Sequence, residues 1–294
     1  MTDSDSVPSA TDRAAGCRDR ARGSLLGLAC GDALGRPVAG DAAAAVRDRH
    51  GRVTEMLGAD GRRAGTTTEP TAAAVESAGR LLDRTDELAA PFTADARSTT
   101  AVASLLAAVP YGFLAGNATE RAAAAAEDAV ATGPAAGGDS AAESSAALAV
   151  IVGELVDGEV VETAVATAMT VAVSRSAPVA LRETLSVVGD RAAVTIDPAG
   201  GRSAVFETAL HEAVAADDSE EAIVSAVSRG GNASALGAVA GAVAGARFGT
   251  DAIPARWLNE LDGAADLRAL ADALAEREVQ IGRASCRERV SFTV

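Results

Sequence analysis

The hydrophobic residues of this 294-residue chain recur mostly with helical spacing, and one apolar stretch near the C-terminus dominates the pattern. Within residues 230–249, glycine recurs at every fourth position, as Gly237, Gly241, Gly245 and Gly249. Residues four apart share one face of a helix, so a neighbouring helix can approach this side-chain-free face closely. The pattern therefore predicts a buried central helix that is surrounded by other helices.

The rest of the chain also has mainly helical patterns. A loop is expected over residues 51–69, and the next helix begins at Thr68 or Glu69 with Pro70 in its first turn, where no N–H partner is needed. Asn117 is predicted to cap an alanine-rich helix. Further helices are expected over residues 18–33, 98–116, 159–173, 177–188 and 266–278, and in the stretch that ends at Val156. The predicted fold class is therefore all-α.

The domain organisation follows from the absence of any Pro/Gly/Ser-rich linker. We expect a single domain over residues 17–280, with a division into two domains as the alternative. Residues 1–16 are acidic, have no apolar signal region and are predicted to form a disordered lead. Residues 281–294 break the helical pattern, resemble translated sequencing-adapter DNA and are interpreted as a non-native tail.

Composition narrows the classes of partner. The net charge is −15, and all 26 basic residues are arginine, which is typical of a protein from a salt-adapted, halophilic cytoplasm. This acidity and an aromatic content of 2% argue against nucleic-acid binding. The apolar stretch 230–246 is too short and too polar to span a membrane. Three cysteines form neither a disulfide framework nor a spaced zinc site, so a reducing, cytoplasmic location is expected.

Three motifs resemble those of the ADP-ribosylglycohydrolase family. GGNASALGAVAGAVAGARFG resembles a family signature that begins GGDADT, GDALGRPVAG resembles GDALGxPVE, and GTTTEPT resembles a segment that contains TDDT. The resemblance implies a compact, orthogonal multi-helix bundle that uses two Mg²⁺ or Mn²⁺ ions to release ADP-ribose from a modified residue. The family's metal-ligand positions fall on Ala39, Thr68, Glu69, Pro70, Asn232, Ser234 and Ala235.

Two weaker similarities lie between these motifs. Pro110 and Gly112 match the end of a family segment, although a helix terminator explains them equally well. In a segment that resembles the family's THxD, Asp139 is kept and Gly137 replaces the histidine. Asp139 is also explained as a helix N-cap. His211 is predicted to lie on a helix surface, because only His50 accompanies it in the chain and no histidine cluster is available for a metal.

The charges at the ligand positions decide the cofactor prediction. Two divalent ions about 4 Å apart repel by roughly 17 kcal/mol at an effective dielectric constant near 20, so such a pair needs several anionic ligands. Only Glu69 supplies one here. No metal cofactor is therefore expected, and Mg²⁺ or Mn²⁺ would bind only if the family site is partly functional.

Three functions remain open. The first is a pseudoenzyme that binds ADP-ribose or a related nucleotide through Thr67, Thr68, Gly230, Gly231, Asn232 and Ser234. The second is an active ADP-ribosyl hydrolase with Asp32, Glu69 and Asp139 as acid and base. Asp32 also has a structural interpretation, as a carboxylate that accepts backbone hydrogen bonds at a glycine-rich turn. The third is a non-catalytic structural or regulatory partner of another protein that acts through its acidic helical surface.

Overall fold

A computed structural model describes residues 9–83, 102–132, 138–188 and 202–276, and every regular element in these ranges is a helix. The all-α prediction is confirmed. The α-helices are α1 (Ala10–Gly35), α2 (Ala43–His50), α3 (Glu69–Leu81), α4 (Ala103–Leu106), α5 (Ala118–Thr132), α6 (Gly138–Asp157), α7 (Val161–Ser174), α8 (Val179–Val187), α9 (Arg202–Ala215), α10 (Ser219–Val227), α11 (Ala233–Phe248), α12 (Ala255–Glu260) and α13 (264–276). Short 3₁₀ turns cover Arg36–Val38, Val109–Phe113 and Thr250–Ala252.

Helix α11 is buried along most of its length and packs against α1 through glycines on both helices. The α1 glycines are also four apart, and the helices run antiparallel, so that Gly27 faces Gly241 and Gly31 faces Gly237. A Cβ atom on Gly241 would lie 2.0 Å from the carbonyl oxygen of Gly27, far inside van der Waals contact. The predicted glycine stripe is thus a backbone-to-backbone contact, and its partner helix is α1.

The remaining helices surround this pair. Helices α9 and α10 pack against α11, and α6 contacts both α1 and α11. The core consists mainly of alanine, valine and leucine, with Trp257, Phe113 and Phe206 as its largest fully buried side chains. Small side chains let many helix axes approach one another closely, which suits an alanine-rich sequence. Among the described residues, no helix is long and apolar enough to cross a membrane.

Two elements differ from the sequence predictions. Helix α1 begins at Ala10, inside the stretch that was expected to be disordered, because Ser9 and Asp12 form a capping box at its start. Residues 1–8 and 277–294 lie outside the described residues. The predicted helix 98–116 is, from residue 102 onward, the short α4 followed by a 3₁₀ turn that contains Pro110, whose missing N–H disfavours a continuous α-helix.

Candidate functional site

The end of α1 carries a buried carboxylate that holds the start of α3. Asp32 is fully buried, and its Oδ2 accepts hydrogen bonds from the Thr68 backbone N–H at 2.7 Å and the Thr71 hydroxyl at 2.7 Å. The Thr68 hydroxyl donates to Oδ1 at 2.5 Å, and the Thr71 N–H donates to Oδ2 at 3.3 Å. Thr68 is the N-cap residue of α3, as predicted, but the carboxylate that accepts from the first turn comes from another helix. Asp32 therefore fastens α3 to α1.

Burial and hydrogen bonding act on Asp32 in opposite directions. Burial raises the pKa of Asp32 and is the largest influence, while the hydrogen bonds from Thr68 and Thr71 lower it. All four donors point at the carboxylate oxygens, so these oxygens are occupied by the protein itself. This geometry gives Asp32 a structural contact, with donors from the start of α3 rather than from its own glycine-rich turn.

The loop that leads into α3, residues 51–68, is held by side chains from two directions. The Arg36 guanidinium reaches into it from the end of α1 and donates to four carbonyl oxygens of the loop. From the other side, the Trp257 indole N–H donates to the Thr54 carbonyl at 2.8 Å. The Thr66 hydroxyl donates to Asp262 Oδ2 at 3.1 Å. We call Thr66–Thr68, the last part of this loop, the threonine turn.

A second turn, Gly230–Asn232, precedes α11 and is called the glycine turn. Its two glycines have positive φ values of 68° and 58°, a conformation that glycine adopts without strain. The Gly231 N–H donates to the Asp41 carbonyl at 2.7 Å, and the Gly230 N–H donates to Val227 at 3.0 Å. The N–H groups of these glycines already have acceptors within the protein. They are therefore not available for the ligand binding that the sequence had suggested.

The last turn of α1 brings the two turns together. Gly35 packs so closely on the start of α11 that a Cβ atom there would lie 2.3 Å from the Ala233 carbonyl oxygen. Asp32, three residues earlier, binds the threonine turn. Helices α3 and α11 also contact each other. The structure thus places Thr67, Thr68 and Glu69 near the same end of the bundle as Asn232 and Ser234.

The side chains at the family's metal-ligand positions are almost all neutral. Ala39 is exposed, whereas Pro70 and Ala235 are buried and have no donor atoms in their side chains. Asn232 and Ser234 are half-buried and uncharged. Glu69, half-buried at the first position of α3, is the only carboxylate at these positions. Within the described residues there is no group of three His, Cys, Asp or Glu side chains that could hold a metal ion.

Two other sequence predictions have different outcomes. Asp139 is the second residue of α6 rather than its N-cap, and its side chain lies outside the described part of the chain. His211 is 8% exposed, so the prediction of a helix-surface residue is wrong. Helix α9 packs against both α10 and α11, which leaves little of its surface to solvent. Among the described residues, no hydrogen-bond partner reaches the buried Nδ1 of His211.

Sequence reasoning missed Arg36, whose side chain donates four hydrogen bonds in this region. The only local signal is its place between Gly35 and Pro37, which marks a turn but not a long-range anchor. The carbonyls that it binds lie 21 to 30 residues further along the chain. Such a contact depends on how the loop folds back over α1.

Comparisons with known proteins agree on one family. The sequence matches the profile described as ADP-ribosylglycohydrolase over residues 13–98 and 76–283. ADP-ribosyl-[dinitrogen reductase] glycohydrolase from Rhodospirillum rubrum is 37% identical over 71 residues, which cover 22% of this chain and 24% of that relative. This chain therefore matches about a quarter of the length of this curated relative. A solved structure, an ADP-ribosylglycohydrolase-related protein complex, superposes with a TM-score of 0.73 at 26% identity, and covers 90% of this chain and 99% of its own.

Proposed function

Since the chain belongs to the ADP-ribosylglycohydrolase family, we propose that it binds ADP-ribose or a related nucleotide without carrying out two-metal hydrolysis. The observation that carries this proposal is the chemistry of the seven ligand positions. Glu69 is the only charged one, and the side chains of Ala39, Pro70 and Ala235 offer no donor atom. The fold of the family is retained, while most of the metal-ligand positions carry residues that differ from the family's motifs.

Electrostatics supports the loss of the metal pair. Two divalent ions about 4 Å apart repel by roughly 17 kcal/mol at an effective dielectric constant near 20. One carboxylate, even with neutral oxygens from Thr68, Asn232 and Ser234, offsets only part of this repulsion. The residues present therefore do not fit a dinuclear magnesium or manganese site, and no catalytic step is assigned to such a site.

The same residues remain suited to a polar, uncharged ligand surface. Thr67, Asn232 and Ser234 are half-buried and carry hydroxyl or amide groups, and the Thr68 hydroxyl, which donates to Asp32, can still accept a hydrogen bond. Hydroxyl and amide groups can donate to phosphate oxygens and exchange hydrogen bonds with sugar hydroxyls. Because the N–H groups of Gly230 and Gly231 are occupied, we propose that side chains rather than these amides contact the ligand.

The alternative of a surviving hydrolase is weakened by the position of Asp32. This alternative assigns acid and base roles to Asp32, Glu69 and Asp139. Asp32 is fully buried, and its carboxylate oxygens accept four hydrogen bonds within the protein. A general acid or base must reach the substrate directly or through one water molecule. Of the two carboxylates whose side chains are described, Glu69 alone is partly open to solvent.

Calorimetry with ADP-ribose tests the proposal. We expect binding of one ligand per chain, with the same affinity in EDTA as in millimolar Mg²⁺. Replacing Thr67 and Asn232 together by alanine should weaken binding by about tenfold or more, because each lost hydrogen bond contributes about 1 kcal/mol. Thr170→Ala, on the outer helix α7, is the matched control and should bind normally, since Thr170 bonds only to the carbonyl of Ala166 in its own helix.

Three results would contradict the proposal. The first is no binding heat at millimolar ADP-ribose, which would leave the role of a structural or regulatory protein partner. The second is release of ADP-ribose from an arginine-linked substrate that requires Mn²⁺ and is abolished by Glu69→Gln. Stoichiometric binding of two Mn²⁺ ions would likewise establish that the family's metal pair survives.

A further inference from the structure

We propose that Arg36 is a positioning residue that gives the threonine turn its ligand-binding shape without the help of a metal ion. The proposal rests on the proposed function for its ligand measurement only. Its structural part, that Arg36 fixes the loop 51–68 locally, stands on the hydrogen bonds described below and is tested separately.

The Arg36 guanidinium donates hydrogen bonds to several carbonyl groups of the loop. It is 8% exposed, and its hydrogen bonds go to backbone oxygens rather than to a carboxylate. Its acceptors are Ala59 at 2.7 Å from Nη1, Arg63 at 2.9 Å and Leu57 at 3.3 Å from Nη2, and Thr66 at 3.2 Å from Nε. One side chain thus fixes four points along ten residues of loop. Only a planar guanidinium offers enough donors in a rigid arrangement to do this, because lysine has a single nitrogen.

The loop has little regular backbone structure of its own that could hold it in place of the Arg36 hydrogen bonds. In the described residues, its one pairing between two loop residues is the isolated bridge between Ala59 and Arg62, and the Gly65 carbonyl accepts from the Asp262 N–H at 3.0 Å. Ala59 and Arg62 each donate their N–H to the carbonyl of the other, at 3.1 and 2.9 Å. Without the guanidinium, the Ala59 carbonyl would keep its bond from the Arg62 N–H, but the other three acceptor carbonyls would lose their Arg36 donor, which favours a rearrangement of the loop that exposes them to water.

Arg36 and Asp32 together fix both sides of the threonine turn. They lie one helical turn apart at the end of α1, where the Arg36 N–H donates to the Asp32 carbonyl. Asp32 binds Thr68, and Arg36 binds the carbonyl of Thr66. The turn is therefore ordered by one anion and one cation of the protein. A preorganised turn loses less conformational entropy when it binds a ligand.

Arg36→Lys tests this inference, because lysine keeps the positive charge but lacks the several donor nitrogens of the guanidinium group. Arg63→Lys is the matched control on the same loop, since the Arg63 side chain is 79% exposed and pairs with Asp262 at the surface. The probe of loop structure is Trp257, the only tryptophan in the chain, whose indole N–H bonds to Thr54 at the start of the loop. Acrylamide quenching of its fluorescence and hydrogen exchange at the amides of Ala59 and Arg62 report loop opening.

For Arg36→Lys, we expect faster exchange at Ala59 and Arg62 by about tenfold, increased quenching of Trp257 and unchanged exchange in α11. The affinity for ADP-ribose should fall by about tenfold and should not recover in Mg²⁺. The control should match the wild type in all three measurements. If the wild type does not bind ADP-ribose, the proposed function fails, whereas quenching and exchange still decide the role of Arg36.

Three results would overturn the inference. One is that Arg36→Lys has the same hydrogen exchange and the same Trp257 quenching as the wild type, which would show that the loop does not depend on the guanidinium group. Another is recovery of ligand affinity in Mg²⁺, which would show that an ion orders the turn. If Arg36→Lys does not fold, Arg36→Gln is measured instead. Loss of the fold in both variants would assign Arg36 to the whole bundle rather than to the loop.

Discussion

Helix α1 makes two very different contacts, one along its length and one at its end. Along its length, Gly27 and Gly31 meet the glycines of α11 with backbone against backbone. At its end, Asp32 and Arg36 hold the threonine turn and its loop through individual polar atoms. The contact along the helix requires glycines, which have no side-chain atoms. The contact at the end requires two individual groups, the Asp32 carboxylate and the Arg36 guanidinium. The two contacts should respond to opposite kinds of substitution.

The two contacts of α1 also contribute differently to the stability of the protein and to the shape of its candidate site. A backbone contact between two helices supplies no functional group, but it fixes the distance between α1 and α11. The polar contacts at the end of α1 then set the shape of the threonine turn relative to the start of α11. Enlarging a glycine should therefore damage the whole protein, whereas removing a polar group should damage one region.

The largest effect is expected for Gly241→Ala. The new methyl group would lie 2.0 Å from the Gly27 carbonyl oxygen, so the two helices must separate. We expect a loss of about 3 kcal/mol in the free energy of unfolding, measured by chemical denaturation. Gly16→Ala, on the partner helix α1, is the control, because its Cβ would approach only the flexible end of Arg20. It should be neutral or stabilising by up to about 1 kcal/mol. Equal stability of the two variants would contradict the comparison.

A smaller loss is expected for Asp32→Asn. The amide has only one oxygen to accept the hydrogen bonds that Thr68 and Thr71 donate, and its NH₂ group would face other donors. The expected loss is about 2 kcal/mol in the free energy of unfolding, with faster hydrogen exchange at the start of α3. Asp12→Asn changes an exposed capping carboxylate of α1 and should have a much smaller effect on stability. Similar losses for both would show that burial of Asp32 does not matter.

Thr66→Val should have a local effect of about 1 kcal/mol. It removes the hydroxyl that donates to Asp262 Oδ2 at 3.1 Å and keeps the shape of the side chain. Quenching of Trp257 fluorescence is not expected to change, because Arg36 still holds the loop. A loss as large as that of Asp32→Asn would place the main support of the turn on the Asp262 side rather than on α1.

The pH dependence of the Asp32 contribution is expected to be the smallest effect. Burial raises the pKa of Asp32 above its ordinary value of 3.8, so the folded protein binds this proton more readily than the unfolded chain does. The stability of the wild type relative to Asp32→Asn should therefore be greatest below about pH 3.8 and fall as the pH rises through the folded-state pKa. Denaturation of both proteins over this range measures the difference. The opposite slope would show that the hydrogen bonds outweigh burial.

The sequence predicted the features that depend on local spacing. The glycine stripe of α11 was predicted from Gly237, Gly241 and Gly245, and the structure confirms its close contact with another helix. Asn117 was predicted as a cap, and its Oδ1 accepts from the N–H groups of Thr119 and Glu120. Both follow from residues within a few positions of one another, where helix geometry alone fixes which atoms meet.

The sequence could not predict contacts between distant segments. Asp32 was interpreted as a partner of nearby backbone, but its acceptor oxygens serve Thr68 and Thr71, 36 and 39 residues away. Arg36 gave only the signal of a turn, since its four acceptors are backbone carbonyls that any sequence provides. The burial of His211 likewise depends on which face of α9 meets its neighbours, and the weak amphipathicity of that helix does not show this.

The pairing of α1 with α11 has a consequence for synthesis of the protein. Asp19 of α1 contacts Thr250, just after α11, across 231 residues of sequence. At ribosomal rates of about 5–20 residues per second, α1 waits roughly ten to fifty seconds before its partner has been translated. During this interval its glycine face has no native neighbour. The central contact of the bundle therefore forms late, after the intervening helices have left the ribosome.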